Sequence, residues 1–288
     1  MSYLLFNKNS STDFNMHISE PPEFSIPERD YETIHIPGRN GDLVIDSGKY
    51  KNTTGKYKVN IDASHENEDY FKTCSAISAW LQPSPLEASP YGDHDGYCIL
   101  KDTYDPNHFR YAKHKGGSSI SNIFNKAGEM DLEFECKPQR YLASGAVSQR
   151  MSTTSLTMNN PTKNASLPYI IANLKNVSDR ATITIDYPDT TAEGIKIYIR
   201  KPSNVTYLLI NSENETILPV TKNSDGSFKI YHQLGTYYAQ SVEFYTDYGA
   251  YVASYDFPKL MPGRNVISVP NFSTYFNELY ITPNWWDL

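Results

Sequence analysis

The segment Met-Asp-Leu-Glu-Phe-Glu-Cys at residues 130–136 alternates strictly between apolar and polar side chains. Successive side chains of a β-strand point to opposite faces of the sheet, so this pattern predicts a strand with one buried face and one solvated face. Residues 14–18, 31–36 and 56–61 alternate in the same way. The N-terminal part of the chain is therefore predicted to be rich in β-structure.

One segment, about residues 65–82, has helical periodicity instead. Its apolar stripe consists of Tyr70, Cys74, Ile77 and Leu81. Ser64 is suited to cap this helix and Pro83 to end it. We expect this helix to brace the N-terminal sheet, and we expect few other helices.

The C-terminal part is predicted to consist of short strands separated by turns such as Pro188-Asp189, Asp225-Gly226 and Pro262-Gly263. Short strands at such regular spacing indicate a β-sandwich. The predicted fold class is thus mainly β, an N-terminal β-rich domain with one α-helix followed by a β-sandwich. The predicted strands span 168–174, 181–187, 195–200, 205–211, 215–220, 227–232, 241–246, 250–256, 265–269 and 277–282.

The length of 288 residues, with 39% apolar and 13% aromatic residues, suits two domains that each bury a core. We place the first domain at residues 1–141 and the second at 168–288, with the last strand, about 277–288, as a candidate to return to the first domain. Residues 142–167 are rich in Ser, Thr and Asn, which favours a linker or weak strands that cross between the domains.

Composition argues against several classes of protein. The three cysteines (Cys74, Cys98 and Cys136) are odd in number and far apart, which disfavours a disulfide scaffold or a cysteine zinc site. The sequence has no apolar run long enough to span a bilayer, and its first residues lack a signal-peptide core. We therefore expect that the protein does not insert into a membrane and that it is assembled in a cytoplasm. The net charge of −7 without a basic stripe makes sequence-specific nucleic-acid binding unexpected.

Potential metal ligands cluster in residues 91–115. Imidazole and carboxylate groups can share a divalent ion, but the segment contains no spaced ligand motif, and a polar loop with exposed histidines explains it better. We therefore expect no metal. The cluster comprises Asp93, His94, Asp95, Asp102, Asp105, His108 and His114.

No catalytic motif stands out. The glycines at 38, 41 and 48 are not followed by the Lys-Ser/Thr of a phosphate-binding loop, and turns between strands account for them. A Gly-x-Ser-x-Gly elbow is absent. Paired carboxylates of the glycosidase type need only spatial proximity, which leaves a hydrolase as an alternative. We predict neither enzymatic activity nor a cofactor.

The tyrosines and tryptophans near the C-terminus offer a second alternative, a sugar-stacking platform. Alternate tyrosines in strands are also typical of core and cross-strand pairs, and the Trp285-Trp286 pair suggests burial in a domain or subunit contact. The candidates for the platform are Tyr237, Tyr238, Tyr245, Tyr248, Tyr251, Tyr255, Trp285 and Trp286.

Three segments carry a resemblance to a family. They are residues 14–52, which include the Pro-Gly-Arg-Asn-Gly-Asp run at 37–42, residues 133–142, and residues 261–288 with the Trp-Trp ending. In this order and spacing they resemble the distal tail proteins of long-tailed phages that infect Gram-positive hosts. The resemblance covers residues 1–141 and the last part of the chain.

This resemblance implies a first domain that closes in six copies around the tail channel and a second, galectin-like sandwich at the periphery of the ring. Such a homohexamer comes from a phage or a prophage and lies in the virion tail. It joins the tail tube protein to the tail-tip proteins and possible receptor-binding proteins, and DNA passes through it. It is assembled in the cytoplasm of the bacterial host. No galectin sugar-binding motif is visible in residues 168–270.

The loops at 21–30 and 37–56 are our candidates for subunit contacts because they are long and mixed in charge. Within them we name Arg39, Asp42 and Asp46, for which local turn bonding is the competing explanation, and we add Trp285 and Trp286. A carbohydrate-binding or adhesin module that contacts the host cell surface remains the main alternative function.

Overall fold

The structure is a computed structural model that describes residues 2–62, 69–83, 96–124, 126–175, 181–192, 194–199, 206–213, 216–226, 228–230, 244–246 and 257–288. The chain divides into two compact units. The first ends at Arg140, and the second covers Tyr141–Asp287. Each unit is described by itself below.

The first unit is built on one antiparallel sheet and a separate two-stranded ribbon. The sheet has the strand order β2-β1-β7-β8-β9-β6-β3, and the ribbon pairs β4 with β5. The elements are β1 (Leu4–Phe6), β2 (Asn9–Ser10), β3 (Met16–Ile18), β4 (Arg29–Ile34), β5 (Leu43–Tyr50), β6 (Thr53–Asp62), α1 (Tyr70–Leu81), β7 (Cys98–Asp102), β8 (His108–His114) and β9 (Ala127–Cys136), with one turn of 3-10 helix at Ser11–Phe14.

The alternating segment at 130–136 lies in β9, which pairs with β6 over the whole length of both strands. Its apolar side chains Leu132 and Phe134 are fully buried, as the alternation predicts. The opposite face of this strand pair carries charged side chains, including the ion pair between Lys56 and Glu133 at 3.5 Å. One face of the sheet therefore forms the core and the other is polar.

Helix α1 packs on the core through Ile77, Trp80 and Leu81. The indole N–H of Trp80 donates to the carbonyl oxygen of Phe6 at 2.8 Å, which links the helix to strand β1. Of the predicted stripe, Tyr70, Ile77 and Leu81 are buried, whereas Cys74 is only partly buried.

The predicted start of the helix, about residue 65, lies outside the described residues, which resume at Asp69. Asp69 has an extended backbone (φ −88°, ψ 112°), and its carboxylate accepts a hydrogen bond from the N–H of Phe71, so the helix begins at Tyr70. Ser64, the predicted cap, lies outside the described residues. Elsewhere in the described chain, α-helix is limited to one four-residue segment of the second unit.

The second unit contains two antiparallel sheets. One has the order β11-β21-β13-β16-β17-β18 and the other has the order β12-β20-β14-β15-β19. The elements are β10 (Arg140–Leu142, at the boundary of the units), β11 (Gln149–Met151), β12 (Ser155–Asn160), β13 (Tyr169–Leu174), β14 (Ala181–Asp186), β15 (Ile195–Ile199), β16 (Tyr207–Asn211), β17 (Thr216–Lys222), β18 (Phe228–Ile230), β19 (Phe244–Thr246), β20 (Gly263–Ser268), α2 (Phe272–Tyr275), β21 (Phe276–Thr282) and β22 (Trp286–Asp287), with a 3-10 turn at Ala143–Ala146.

Side chains from both sheets form one buried cluster, which makes this unit a β-sandwich. Ile170 and Ile210 come from one sheet, and Ile183 and Ile197 from the other. The prediction of a mainly β fold is confirmed. The predicted strand at 250–256 lies outside the described residues.

Residues 142–167, for which we expect a linker or weak strands that cross between the domains, include two strands of the sandwich, β11 and β12. β11 pairs with β21, and β12 pairs with β20. Each contributes one buried methionine, Met151 and Met158, to the shared core. Strand β21, near the C-terminus, pairs with β11 and β13 of this same unit.

Within the described residues, the helices are too short or too polar to cross a bilayer.

Candidate assembly interface

The β4–β5 ribbon exposes apolar side chains on a pair of strands that no other described strand joins. Thr33 pairs with Val44, and Glu32 pairs with Ile45. Val44 is 55% exposed, Ile45 43% and Tyr31 54%. Leu43, Val44 and Ile45 are consecutive, so their side chains point to both faces of the ribbon. The ribbon thus presents apolar surface on each side.

Local bonds hold the candidate carboxylates of the ribbon. Asp46 forms an ion pair with Arg29 at 2.9 Å and accepts a hydrogen bond from the N–H of Gly48. Asp42 contacts the imidazole of His35 at 3.0 Å. Local bonding therefore accounts for both aspartates without a partner subunit.

Arg39 differs from the two aspartates. It lies in the turn that joins β4 to β5, and its side chain is exposed. Gly38 (φ +80°) and Gly41 (φ +79°) adopt the left-handed backbone that glycine tolerates best, which explains these two glycines of the turn. Among the described residues, the guanidinium of Arg39 has no hydrogen-bonding or ionic partner, so Arg39 is the polar side chain of this turn best placed to bind a neighbour.

The segment from Glu20 to Ile26, which we call the strap, precedes the ribbon and is fixed to the sheet. Lys58 forms an ion pair with Glu20 at 2.9 Å, and the hydroxyl of Ser25 donates to the carbonyl oxygen of Thr54 at 2.7 Å. Phe24 is nevertheless 59% exposed and Ile26 is 83% exposed. The apolar surface of the ribbon therefore extends along the strap.

A cavity of about 340 Å³ lies beside the strap. Inside it the hydroxyl of Tyr57 donates to Asp102 at 2.8 Å, and burial raises the pKa of Tyr57 well above its ordinary value. Asp105 binds both His108 and Arg140. Burial alone would raise the pKa of Asp105, but the hydrogen bonds from Arg140 and His108 outweigh it and lower this pKa.

These contacts explain part of the polar cluster at 91–115. Asp105 and His108 are in contact, and the Arg140 guanidinium already neutralises the carboxylate. His114 lies apart, next to Ser118, and burial lowers its pKa. The described residues contain no group of three or more side chains arranged to hold a metal ion. Asp93, His94 and Asp95 lie outside the described residues.

The two C-terminal tryptophans serve the sandwich itself. Trp285 is 5% exposed and belongs to the core of the second unit. A Cβ atom on Gly145 would lie 2.3 Å from the backbone nitrogen of Trp285, so only glycine fits there. The indole N–H of Trp286 donates to the carbonyl oxygen of Ala165 at 3.0 Å. Within the described chain, Trp285 thus packs in the core of its own unit.

Most candidates for the sugar-stacking platform lie outside the described residues. Tyr237, Tyr238, Tyr248, Tyr251 and Tyr255 lie outside the described residues, and Tyr245 is on the short strand β19.

Sequence reasoning predicted both strands of the ribbon but missed that their apolar side chains stay exposed. The signal was present at Leu43, Val44 and Ile45, since three successive apolar residues in a strand cannot all face one core. It also missed Phe24 in the strap and Phe124 in the β8–β9 connection, for which the sequence offers no periodic pattern.

Comparison with known proteins shows similarity at the level of fold. No family model and no curated protein matches the chain. The SPP1 Dit protein, described as a paradigm of the hub adsorption apparatus in Gram-positive-infecting phages, matches with a TM-score of 0.58 and 12% identity over 98% of this chain and 97% of that chain. A chain of the phage P2 baseplate in its activated conformation with Ca matches with a TM-score of 0.51 and 8% identity over 97% and 96%.

The predicted resemblance to distal tail proteins is therefore confirmed for the fold. The likeness extends over nearly the whole length of both chains and includes both units. At these identities it establishes the architecture alone.

Proposed function

We propose that this protein is a structural subunit of a phage tail. Six copies close into a ring at the distal end of the tail tube, join the tube to the host-adsorption apparatus, and leave a central channel for DNA. The observation that carries this proposal is the β4–β5 ribbon, whose apolar side chains are exposed although each unit has a well-packed core.

An isolated two-stranded ribbon is marginally stable in water, and its unpaired edges offer backbone groups to another strand. A neighbouring copy supplies a partner that covers the apolar side chains and pairs with an edge. When the ribbon of each copy binds a different surface of the next copy, the contact is head-to-tail, and it generates a closed ring if the rotation closes. A ring subunit therefore needs the kind of surface that this ribbon presents.

The charge distribution is compatible with a channel for DNA. The net charge is −7, and on the polar face of β6 and β9 the lysines are matched by carboxylates, as in the pair of Lys56 with Glu133. A surface without a cluster of unpaired Lys or Arg does not retain the phosphate backbone. DNA would pass such a wall without binding to it.

The fold likeness to the SPP1 Dit protein and to the phage P2 baseplate chain supports the same assignment. The partners of this protein are then its own copies, the tail tube protein, tail-tip proteins, and in some phages a receptor-binding protein. Its place is the virion tail, after assembly in the bacterial cytoplasm. The second unit corresponds to the galectin-like domain at the periphery, and the protein performs no reaction.

Native mass spectrometry of the full chain over a range of concentrations tests this proposal. We expect a species of six chains whose share of the population increases with the concentration of the protein. A population that stays monomeric at every concentration, or that stops at a symmetric dimer, would contradict it. Hydrolysis of a host-wall polysaccharide, lost on substitution of a single carboxylate, would favour an enzyme instead.

A further inference from the structure

The connection between β8 and β9 contains a turn with an exposed aromatic side chain, which we call the finger and which is described at residues 120–124 and 126–127. The N–H of Ile123 donates to the carbonyl oxygen of Ala127 at 2.8 Å, and the N–H of Lys126 donates back to Ile123 at 3.0 Å. Phe124 lies within this turn and is 92% exposed. It is the most exposed of the large apolar side chains in the described part of the chain.

The backbone of Phe124 makes this exposure more unusual. Its φ of +54° lies in the left-handed region, which glycine and asparagine adopt far more readily than a bulky aromatic residue. The ring of Phe124 is not buried against other described residues, so no packing within the described chain offsets this backbone strain. Backbone strain of this kind at an exposed position indicates a role outside the subunit's own fold.

The base of the finger is held rigidly. The hydroxyl of Tyr70 donates to the carbonyl oxygen of Ser121 at 2.8 Å, and Ser121 pairs with Glu129. A Cβ atom on Gly128 would lie 2.6 Å from that same carbonyl oxygen, so the chain packs tightly there. The finger therefore presents Phe124 from a fixed position, which limits the entropy lost when the ring binds a partner.

The cavity beside the strap has the chemistry that receives an aromatic ring. It is lined by the rings of Phe24, Tyr57, Tyr104 and Phe109 and by the guanidinium groups of Arg110 and Arg140. Both guanidinium groups already lie over the ring of Phe24, at 5.7 Å and 4.8 Å from its centre. A second ring that enters the cavity would meet aromatic edges and cationic groups, which are favourable neighbours for its π face.

We propose that Phe124 of one copy inserts into the cavity beside the strap of the next copy. The proposal rests on the ring proposed above and names one of its contacts. The high exposure of Phe124 shows that it does not occupy the cavity of its own chain. A projecting side chain and a receiving cavity at different places on one chain form a head-to-tail contact, as a ring requires.

Charge supports the same pairing. The finger carries an exposed Lys126 next to its tip, and the strap places the carboxylate of Glu23 at the border of the cavity. With Phe124 inserted, this lysine would lie near a border of opposite charge. Such complementarity fixes the register of a contact more than it adds to affinity.

A disulfide test places one cysteine beside the fingertip and one at the border of the cavity. Chains with Lys126→Cys, next to the tip, are mixed with chains with Glu23→Cys, at the border of the cavity, so that Phe124 and the receiving rings stay in place; both chains carry Cys74→Ser because the native Cys74 is partly exposed. Mixtures of Ser75→Cys, an exposed position on α1, with Glu23→Cys serve as the control. Because a held contact raises the effective concentration of the two thiols, we expect at least about tenfold more linked dimer in the first mixture.

The Phe124→Asn variant tests the contact without a new thiol. Asparagine tolerates the left-handed backbone, so we expect an unchanged or higher Tm together with self-association weaker by about tenfold, as for the loss of an aromatic anchor. Phe71→Asn, which changes another exposed phenylalanine (63% exposed), is the matched control and should leave self-association unchanged.

The outcomes separate this contact from the ring itself. A ring of six that forms equally well with Phe124→Asn, without enhanced cross-linking, would overturn the contact and leave the proposed function intact. A wild-type chain that never self-associates, together with cysteine variants that show no enhanced cross-linking, would overturn both. A lower Tm for Phe124→Asn with unchanged association would assign Phe124 to the subunit's own folding, which also overturns the proposal.

Discussion

Replacing Val44 and Ile45 together by serine should weaken the ring without unfolding the subunit. Full burial of a Val or Ile side chain stabilises by about 1.5–3 kcal/mol. In the single chain Val44 is 55% exposed and Ile45 43%, so roughly half of each side chain remains to be buried by a neighbour. The two side chains point to opposite faces of the ribbon, so each contributes about 1 kcal/mol on its own face. With a neighbour that covers both faces, the double variant loses about 2 kcal/mol, or about 30-fold in the dissociation constant.

Sedimentation velocity over a concentration series measures this change, and thermal unfolding measures the stability of the subunit. Val147 provides the matched control because it is also exposed (61%) but lies outside the ribbon. We expect Val147→Ser to leave self-association unchanged and both variants to keep the free energy of unfolding within about 0.5 kcal/mol. Equal dissociation constants for wild type and the double variant would refute the role of the ribbon.

Three further predictions concern the two units separately. Gly145→Ala should destabilise the second unit by about 1–3 kcal/mol, because the added Cβ would overlap the backbone of Trp285. The control Ser144→Ala should change the free energy of unfolding by less than about 0.5 kcal/mol, and thermal unfolding compares the two variants. Trp80→Phe should cost about 1–3 kcal/mol in urea unfolding of the first unit, because the buried carbonyl of Phe6 loses its donor, and an unchanged midpoint would contradict the assignment of this bond. The lowered pKa of Asp105 means that its ion pair stabilises the fold above the ordinary aspartate pKa of about 3.9 and that this stability is lost as the pH falls through the folded-state pKa. Asp105→Asn should therefore lower the Tm at neutral pH, and the difference from wild type should shrink below about pH 4; a difference that stays constant with pH would show that the charge of Asp105 is not responsible.

Strands that alternate over a long stretch could be predicted from the sequence alone. β6 and β9 have one apolar side chain at every second position, and the structure buries these side chains on one face. β11 and β12 were not recognised as part of the sandwich, because the buried side chains there include isolated methionines among Ser, Thr and Asn. Their assignment depends on pairing with β21 and β20, which lie much later in the chain.

The candidate interface could be predicted only in part for a related reason. The pattern at 31–36 indicates a strand, but whether its apolar face is covered depends on residues distant in sequence or on another subunit. Asp105 and His108 belong to the cluster of potential metal ligands at 91–115, but the sequence gives no sign of their bonds to Arg140, which lies on a different strand. The Trp285-Trp286 pair indicates burial in a domain or subunit contact, but its close packing with Gly145 leaves no local signal that identifies which of the two it is.

Electron microscopy of the purified full chain tests the central claim most directly. Class averages of single particles should show annuli with six-fold symmetry and an open centre wide enough for duplex DNA. Compact particles without a central opening, or single subunits in every field at high protein concentration, would contradict the claim that this chain is a ring-forming tail subunit.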